Sequence, residues 1–386
     1  MKSLMRWAGV LLVGVLLTAC FDRFKSSKDN VEPPTELVEL SSAKAVSRLW
    51  SSKAGPGAEK QGGRLLPTAA EGTVYVAELK GTLSAFDAST GRARWKVDTG
   101  ELLSAGPIAA DGLVVVGSLD GKLLAYDVEG NLSWTATLSS EIVSAPAIGR
   151  GMVVVQGNDG RTYAFDHDSG QARWVVDRAV PTLSLRGGSS PLIGETATFI
   201  GQANGKITAV NNLTGEVEWE HALGTPDGRT DLERMIDIDG RMLLVQGDLF
   251  AVGYGSQAAA LASESGRVLW TREFSSYTGF DLSGSSLLAT TTDGEVVSMA
   301  TRTGSPLWRQ DALKHRFLST PAVHGGHVVV GDYEGYLHWL DIESGDIVAR
   351  TRVGKKGIRT VPTVVGEVLY VLDLDGTLAA YSVPAG

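Results

Sequence analysis

The 386 residues are 43% hydrophobic and only 20% charged, which supplies a large core and argues against a mostly disordered chain. A formal charge of -9 at pH 7 lacks the basic excess needed to neutralise phosphates and excludes nucleic acid as a partner class. The single cysteine, Cys20, rules out an intrachain disulfide framework, a Cys-rich zinc site and a thiolate-held Fe–S cluster, while 47 glycines against 13 prolines point to many short strands joined by turns.

Lys2 and Arg6 open the chain with positive charge, residues 7–17 are apolar, and small residues follow, the pattern of a secretory signal rather than a membrane span. The segment ends in Leu17-Thr18-Ala19-Cys20, which resembles the bacterial lipobox. That resemblance implies that residues 1–19 are a signal peptide and that the Cys20 thiol is acylated and becomes the first residue of the mature protein. Each buried acyl CH₂ contributes about 0.8 kcal/mol, so several chains on one cysteine tether stably without spanning. Phe21 follows the cysteine, where an aspartate is the usual inner-membrane retention signal, so the resemblance implies the outer membrane. Residues 20–42 are polar, contain Pro33-Pro34, and read as a lipidated N-terminus and flexible tether.

Residues 43–386 repeat. The runs GTLSAFDASTGRARW, GRTYAFDHDSGQARW and GKITAVNNLTGEVEW end at Trp95, Trp174 and Trp219, and further copies end at Trp134, Trp270 and Trp308. A seventh copy carries Ala349 in the tryptophan position, and an eighth, from Gly376, stops before its last strand. An unmatched Trp50 stands at the front, so the two ends complement each other. Each unit offers four short segments, for example 105–109, 113–118, 122–127 and 132–137, with turns at Asp111-Gly112, Asp120-Gly121 and Glu129-Gly130. One such blade cannot bury both faces, whereas a closed ring of blades covers them and protects all but the outer edges. The expected fold is therefore all-β, an eight-bladed propeller of four-stranded antiparallel blades, closed by the N-terminal strand around Trp50 completing the last blade. An open solenoid would leave both terminal units incomplete.

Within the repeat, Asp87, Asp127, Asp166 and Asp341 are expected to accept backbone N–H groups in the turn before the final strand. Trp50, Trp95, Trp134, Trp174, Trp219, Trp270 and Trp308 suit packing between adjacent blades near the rim, with each indole N–H finding a carbonyl. The fifth unit lacks the usual turn glycine (Ser256) and aspartate (Ala262), so its blade is expected to be the least regular.

The A-x-D-x-x-T-G-x-x-x-W signature of Ala85, Asp87, Thr90, Gly91 and Trp95 resembles the tryptophan-docking repeat of the pyrroloquinoline quinone (PQQ) dehydrogenase propellers. With the lipobox, the eight units, PTLSLRG at 181–187 and VVVGDYEGYLHWLD at 328–341, the whole chain is more similar to the BamB family of outer-membrane β-barrel assembly lipoproteins. That resemblance implies a non-enzymatic scaffold on the periplasmic face of the outer membrane, without a cofactor, promoting folding and insertion of outer-membrane proteins. The competing reading is a periplasmic PQQ-dependent oxidoreductase. Such enzymes carry a vicinal cysteine pair, a calcium or lanthanide site and a catalytic aspartate, usually on a longer chain, and this chain has no second cysteine. His324 and His327 form H-G-G-H in a turn with no further ligand cluster in sequence, and no G-x-S-x-G elbow or P-loop is present.

Successive tryptophans from Trp50 to Trp308 lie 45, 39, 40, 45, 51 and 38 residues apart. Setting aside the first interval, the excess falls at 177–190 and 221–239, each joining one outer strand to the next inner strand, and such loops on a rigid scaffold are candidate binding surfaces. The first holds Leu183, Leu185 and Arg186; the second holds Arg234, Asp237 and Asp239. Two readings stand: the leucines face a partner, or they tuck beneath the loop while the carboxylates solvate it. The resemblance implies that the L-x-L-R and D-x-D runs contact the periplasmic POTRA domains of BamA, the barrel-inserting subunit. Blade edges also offer an unfolded client a place to add a strand. Replacing Cys20→Ala should release the chain from membranes while preserving β-rich circular dichroism; retention on membranes through high salt and carbonate washing would refute the lipid anchor.

Overall fold

A computed structural model describes residues 32–40, 43–55, 64–178, 180–181, 188–224, 229–230 and 234–384. Cys20 and the expected signal peptide lie outside them. The chain divides into two units, Met1–Pro34 and Thr35–Gly386.

Among the described residues the strands form eight sheets, each built in the order inner, second, third, outer. Blade 1 comprises Thr68–Ala70, Thr73–Ala77, Thr82–Asp87 and Ala93–Asp98. Blades 2 to 7 repeat the order with outer strands Leu132–Thr137, Ala172–Val176, Val217–Ala222, Val268–Glu273, Pro306–Gln310 and Ile347–Arg352. Blade 8 takes Thr363–Val365, Val368–Leu372 and Thr377–Ser382 from the C-terminal end and Arg48–Lys53 from the N-terminal end, with Trp50 opposite Ala380. The fold is thus the closed eight-bladed propeller expected from the repeat. Blade 2 gains one strand that no periodicity signals: Arg64–Leu65 pairs parallel with Leu103–Ala110.

Second strands read TVYVA, LVVVGS and MVVVQ because neighbouring blades cover both their faces, and every residue of these three is buried. Outer strands alternate instead; in Leu132–Thr137 the buried Trp134 lies between exposed Ser133 and Thr135. The core is a ring of interfaces. Val115, Leu123 and Trp134 of blade 2 meet Val153, Val155 and Phe165 of blade 3, and Trp50, Leu378 and Ala380 of blade 8 meet Val74 and Phe86 of blade 1.

Each repeat tryptophan reaches forward by one blade. Trp50 Nε1 donates to the Ala88 carbonyl at 2.9 Å, Trp95 to Val128 at 2.8 Å, Trp134 to His167 at 2.8 Å and Trp174 to Asn212 at 2.9 Å. Trp219 donates to Ser263 at 2.8 Å, Trp270 to Thr301 at 2.7 Å and Trp308 to Ile342 at 2.9 Å. The acceptors lie in the turn joining the third and outer strands of the next blade. There Gly91, Gly130, Gly170, Gly215, Gly266, Gly304 and Gly345 lie under the indoles, where a Cβ would come within 2.4–2.9 Å of the ring. Glycine is required twice over, since these residues also have φ between 65° and 89°.

Blade 7 has no such turn to clasp, because the outer strand of blade 8 arrives from the N-terminus. Its cross-strand pair is reversed. Where blade 1 sets Ala85 opposite Trp95 and blade 4 sets Ala209 opposite Trp219, blade 7 sets Trp339 opposite Ala349. Trp339 is fully buried, donates to His324 Nδ1 at 3.1 Å, and meets Tyr381 of blade 8 edge-on at 6.1 Å.

Aspartates hold the same turns from within. Asp87 Oδ1 accepts N–H groups of Ser89 and Thr90 at 3.1 and 3.0 Å, and Asp166 Oδ1 those of Asp168 and Ser169 at 3.2 and 3.0 Å. The Ser89 hydroxyl and Arg94 hold the Asp87 carboxyl well below the ordinary range, as Arg173 and Ser169 do for Asp166. Blade 5 keeps four strands despite Ala262, because backbone bonds from Ala262 N to Arg267 O (2.8 Å) and Gly266 N to Ala262 O (2.9 Å) close its turn unaided.

Residues from Thr35 onward form a strap bonded to blades 6 and 7. Thr35 N donates to the Lys314 carbonyl at 3.0 Å, Lys44 N to Val348 at 2.7 Å, and Leu37 packs with Leu313 and Leu340. Two arginines return the contact: Arg316 Nη1 donates to the Thr35 carbonyl at 2.9 Å and Arg350 Nη1 to Val38 at 2.8 Å. Both belong to a buried chain in which Arg316 Nε donates to Asp332 at 2.9 Å, His338 Nε2 to the same carboxylate at 3.0 Å, and Arg350 Nε to His338 Nδ1 at 3.1 Å. Since Nδ1 accepts, His338 is the neutral imidazole, in agreement with burial lowering its pKa.

Gly91→Ala should destabilise the propeller by about 3 kcal/mol, from overpacking against Trp50 together with left-handed strain. Gly72→Ala, with φ of 71° but open space around it, should cost only about 1 kcal/mol; equal denaturation midpoints would refute the clasp. Deleting 46–52 should lower the thermal midpoint far more than deleting 21–34, because only the former opens the ring.

Candidate partner-binding face

The two long connections emerge at the end of the blades opposite the tryptophan-clasped turns, as antiparallel four-stranded order requires. Leu183, Leu185 and Arg186 lie outside the described residues; Val180, Pro181 and Gly188 on their flanks are described. In the second connection Asp237 is 0% and Asp239 4% exposed, so neither carboxylate faces solvent in the isolated chain. Asp237 forms an antiparallel bridge with Tyr254, its N–H donating at 3.1 Å and its carbonyl accepting at 2.8 Å. Ile238 N donates to the Gln202 carbonyl at 3.1 Å, stitching the segment to blade 4.

Both connections meet at the end of the second strand of blade 4, Ala197–Gly201. A Cβ on Gly201 would stand 2.3 Å from Ser189 Oγ and 2.8 Å from Ile238, so glycine there lets the inner ends of both loops close over one point. Beside it, between blades 3 and 4, lies a small open cleft bordered by Ser144, Gln156, Arg178, Val180, Gly188 and Gln202 among others. Gln202 Nε2 donates to Thr208 Oγ1 at 2.6 Å and that hydroxyl to Glu220 at 3.3 Å, while Lys206 Nζ holds Glu220 at 2.6 Å. The Lys206 bond, acting against partial burial, keeps the Glu220 carboxyl below its ordinary pKa.

Gln156, Ser189 and Gln202 went unnoticed in the sequence because the repeat hides them. A comparison between blades would have raised a signal: Ser118, Thr291, Asp332 and Asp373, at the position of Gln202, each cap their turn by accepting a backbone N–H. Elsewhere, His324 Nε2 hydrogen-bonds the Glu367 carbonyl at 2.9 Å and His327 Nδ1 the Gly325 carbonyl at 2.9 Å. Among the described residues no group of three or more His, Cys, Asp or Glu side chains is arranged to hold a metal ion.

A closed ring of eight blades with seven tryptophan-clasped junctions, and with its longest connections gathered at one place, defines a tryptophan-docking β-propeller whose distinctive surface lies on its loops. A family profile described as outer membrane protein assembly factor BamB matches residues 36–129, 80–299 and 292–386. The BamB of Alkalilimnicola ehrlichii is 39% identical with 98% of each chain covered, and that of Pseudomonas aeruginosa is 38% identical, covering 98% of this chain and 100% of its own. The crystal structure of BamB from Moraxella catarrhalis superposes with a TM-score of 0.81 at 27% identity, over 88% of this chain and 100% of that one. The chain belongs to the BamB family. Quinohemoprotein alcohol dehydrogenase from Comamonas testosteroni, at TM-score 0.70 and 14% identity over 89% of this chain and 77% of its own, shares the fold alone.

Proposed function

We propose that this protein is a non-catalytic scaffold of the outer-membrane β-barrel assembly (BAM) complex, tethered through acylated Cys20 to the outer membrane on its periplasmic side. It binds the POTRA domains of BamA and promotes folding and insertion of outer-membrane proteins. Family membership supports the role, and one observation carries the location: the two longest interblade connections converge at Gly201 and Gln202, away from the tryptophan clasp. A rigid ring that presents two converging loops suits recognition of a folded partner. Leu183 and Leu185 supply the apolar anchor and Arg186 sets its register, whereas Asp237 and Asp239, being buried, hold the loop base rather than meet the partner directly.

The test is titration of purified variants against a soluble POTRA-domain fragment of BamA, with thermal melts alongside. Leu183→Ala/Leu185→Ala/Arg186→Ala should cost about 2–4 kcal/mol of binding, in the range of interface hot spots, with little change in melting. Asp237→Ala and Asp239→Ala should lower the melting temperature as well, and a double-mutant cycle with Arg186→Ala should show strong coupling. Unchanged affinity in the well-folded triple variant would remove these loops from the interface.

A further inference from the structure

Three polar atoms at the junction of blades 3 and 4 take no part in the hydrogen bonding of the described residues. Gln156 Oε1, Gln202 Oε1 and Ser189 Oγ are buried and have no hydrogen-bond partner among the described residues, although their side chains are 8%, 4% and 1% exposed. The repeat makes this costly choice conspicuous. Gln156 occupies the position held by Ala77, Gly117, Gly201 and Gly331 in four other blades, where the small residue lets the next segment pack closely. Gln202 occupies the turn-capping position but is too long for it; Asn204 Oδ1 accepts the Lys206 N–H at 3.1 Å instead. The orientation of its amide is set by chemistry: the Thr208 hydroxyl gives its proton to Glu220, so it can only accept from Gln202, and Nε2 must point there. Gln202 Oε1 is thereby held as an acceptor with no donor among the described residues.

We infer that the cleft between blades 3 and 4 is a recognition pocket for an uncharged amide of the partner, whose N–H groups satisfy Gln156 and Gln202. The inference rests on the partner reading above and deepens it. Arg178 borders the same cleft, its Nε buried, ion-paired with Glu220 at 3.7 Å and without a hydrogen bond among the described residues, and it is available to donate to the carbonyl of that amide. No Asp or Glu is among the described residues bordering the cleft, and Glu220 beside it is shared by Arg178 at 3.7 Å and Lys206 at 2.6 Å, so a lysine or arginine would meet an excess of positive charge, which selects an amide over a cation. Contiguity with the loops is direct, since the carbonyl of Gln202 holds Ile238 and Gly188 flanks the connection containing Leu183 and Leu185.

The signature is opposite movement of stability and affinity. Gln156→Met keeps the volume and removes a buried oxygen that has no partner, so the full mature chain in detergent should melt at the same or a higher temperature, while its Kd for the POTRA-domain fragment rises about tenfold. Gln202→Met should weaken binding equally, and the NH₂ resonances of ¹⁵N-glutamine-labelled protein at both positions should shift when the fragment is added to wild type. Alanine substitution of exposed Asn and Gln residues on the fragment separates the sources: loss of the glutamine effect assigns a side-chain amide, and persistence assigns a main-chain one. Wild-type affinity in both folded variants would overturn the inference and leave the loop interface standing, and so would affinity that falls only in proportion to lost stability. Absence of binding by wild type would overturn the partner reading itself.

Discussion

Everything in this molecule depends on the contact between a tryptophan and the glycine-bearing turn of the next blade. A blade alone is a four-stranded sheet with two apolar faces and no means of choosing its neighbour, whereas the indole N–H bonded to a main-chain carbonyl fixes both angle and register. The bond joins blade n to blade n+1 and never the reverse. Chain direction thus becomes ring direction, and the ring can close only if some outer strand clasps blade 1. Trp50 supplies that clasp and is also bound into blade 8 opposite Ala380, so one residue ties together the two ends of the folded body.

Closure also explains the one break in the series. The third-to-outer turn of blade 8 does not exist as a continuous turn, because its outer strand begins the body instead of ending it. A tryptophan at Ala349 would have no carbonyl to reach and would occupy space beside Tyr381. Exchanging the large and small members of the cross-strand pair keeps the volume at the seam and hands the indole N–H to His324. The arginine-held strap is bonded to the same part of the ring.

Features that recur were legible in the sequence. Trp95, Trp174 and Asp166 announce themselves because each has counterparts at fixed spacing, and from them follow blade number, strand order and closure. Features that occur once were not. Arg64–Leu65 is too short to have a period; Thr35 and Val38 are bonded through main-chain carbonyls, which any residue provides; and Asp237 and Asp239 are acidic residues in a polar loop that burial alone distinguishes from solvated ones. Sequence spacing located the long loops but could not say that their inner ends meet at Gly201, because that meeting depends on the absence of a side chain.

The repeat supplies its own control for locating function. Eight copies of one blade have the same structural demands, so a residue that departs from its counterparts without serving the fold needs another explanation. Some departures are absorbed: the turn at Ala262 is closed by the same backbone bonds that close the aspartate-bearing turns, and the Trp339 and Ala349 exchange follows from closure. Gln156 and Gln202 are not absorbed. They place desolvated oxygens where a small residue or a turn cap would stabilise the free protein, and they do so at the junction where the two longest connections converge. Both oxygens are among the buried polar atoms that find no partner in the described residues, and the proposed amide is what would complete them.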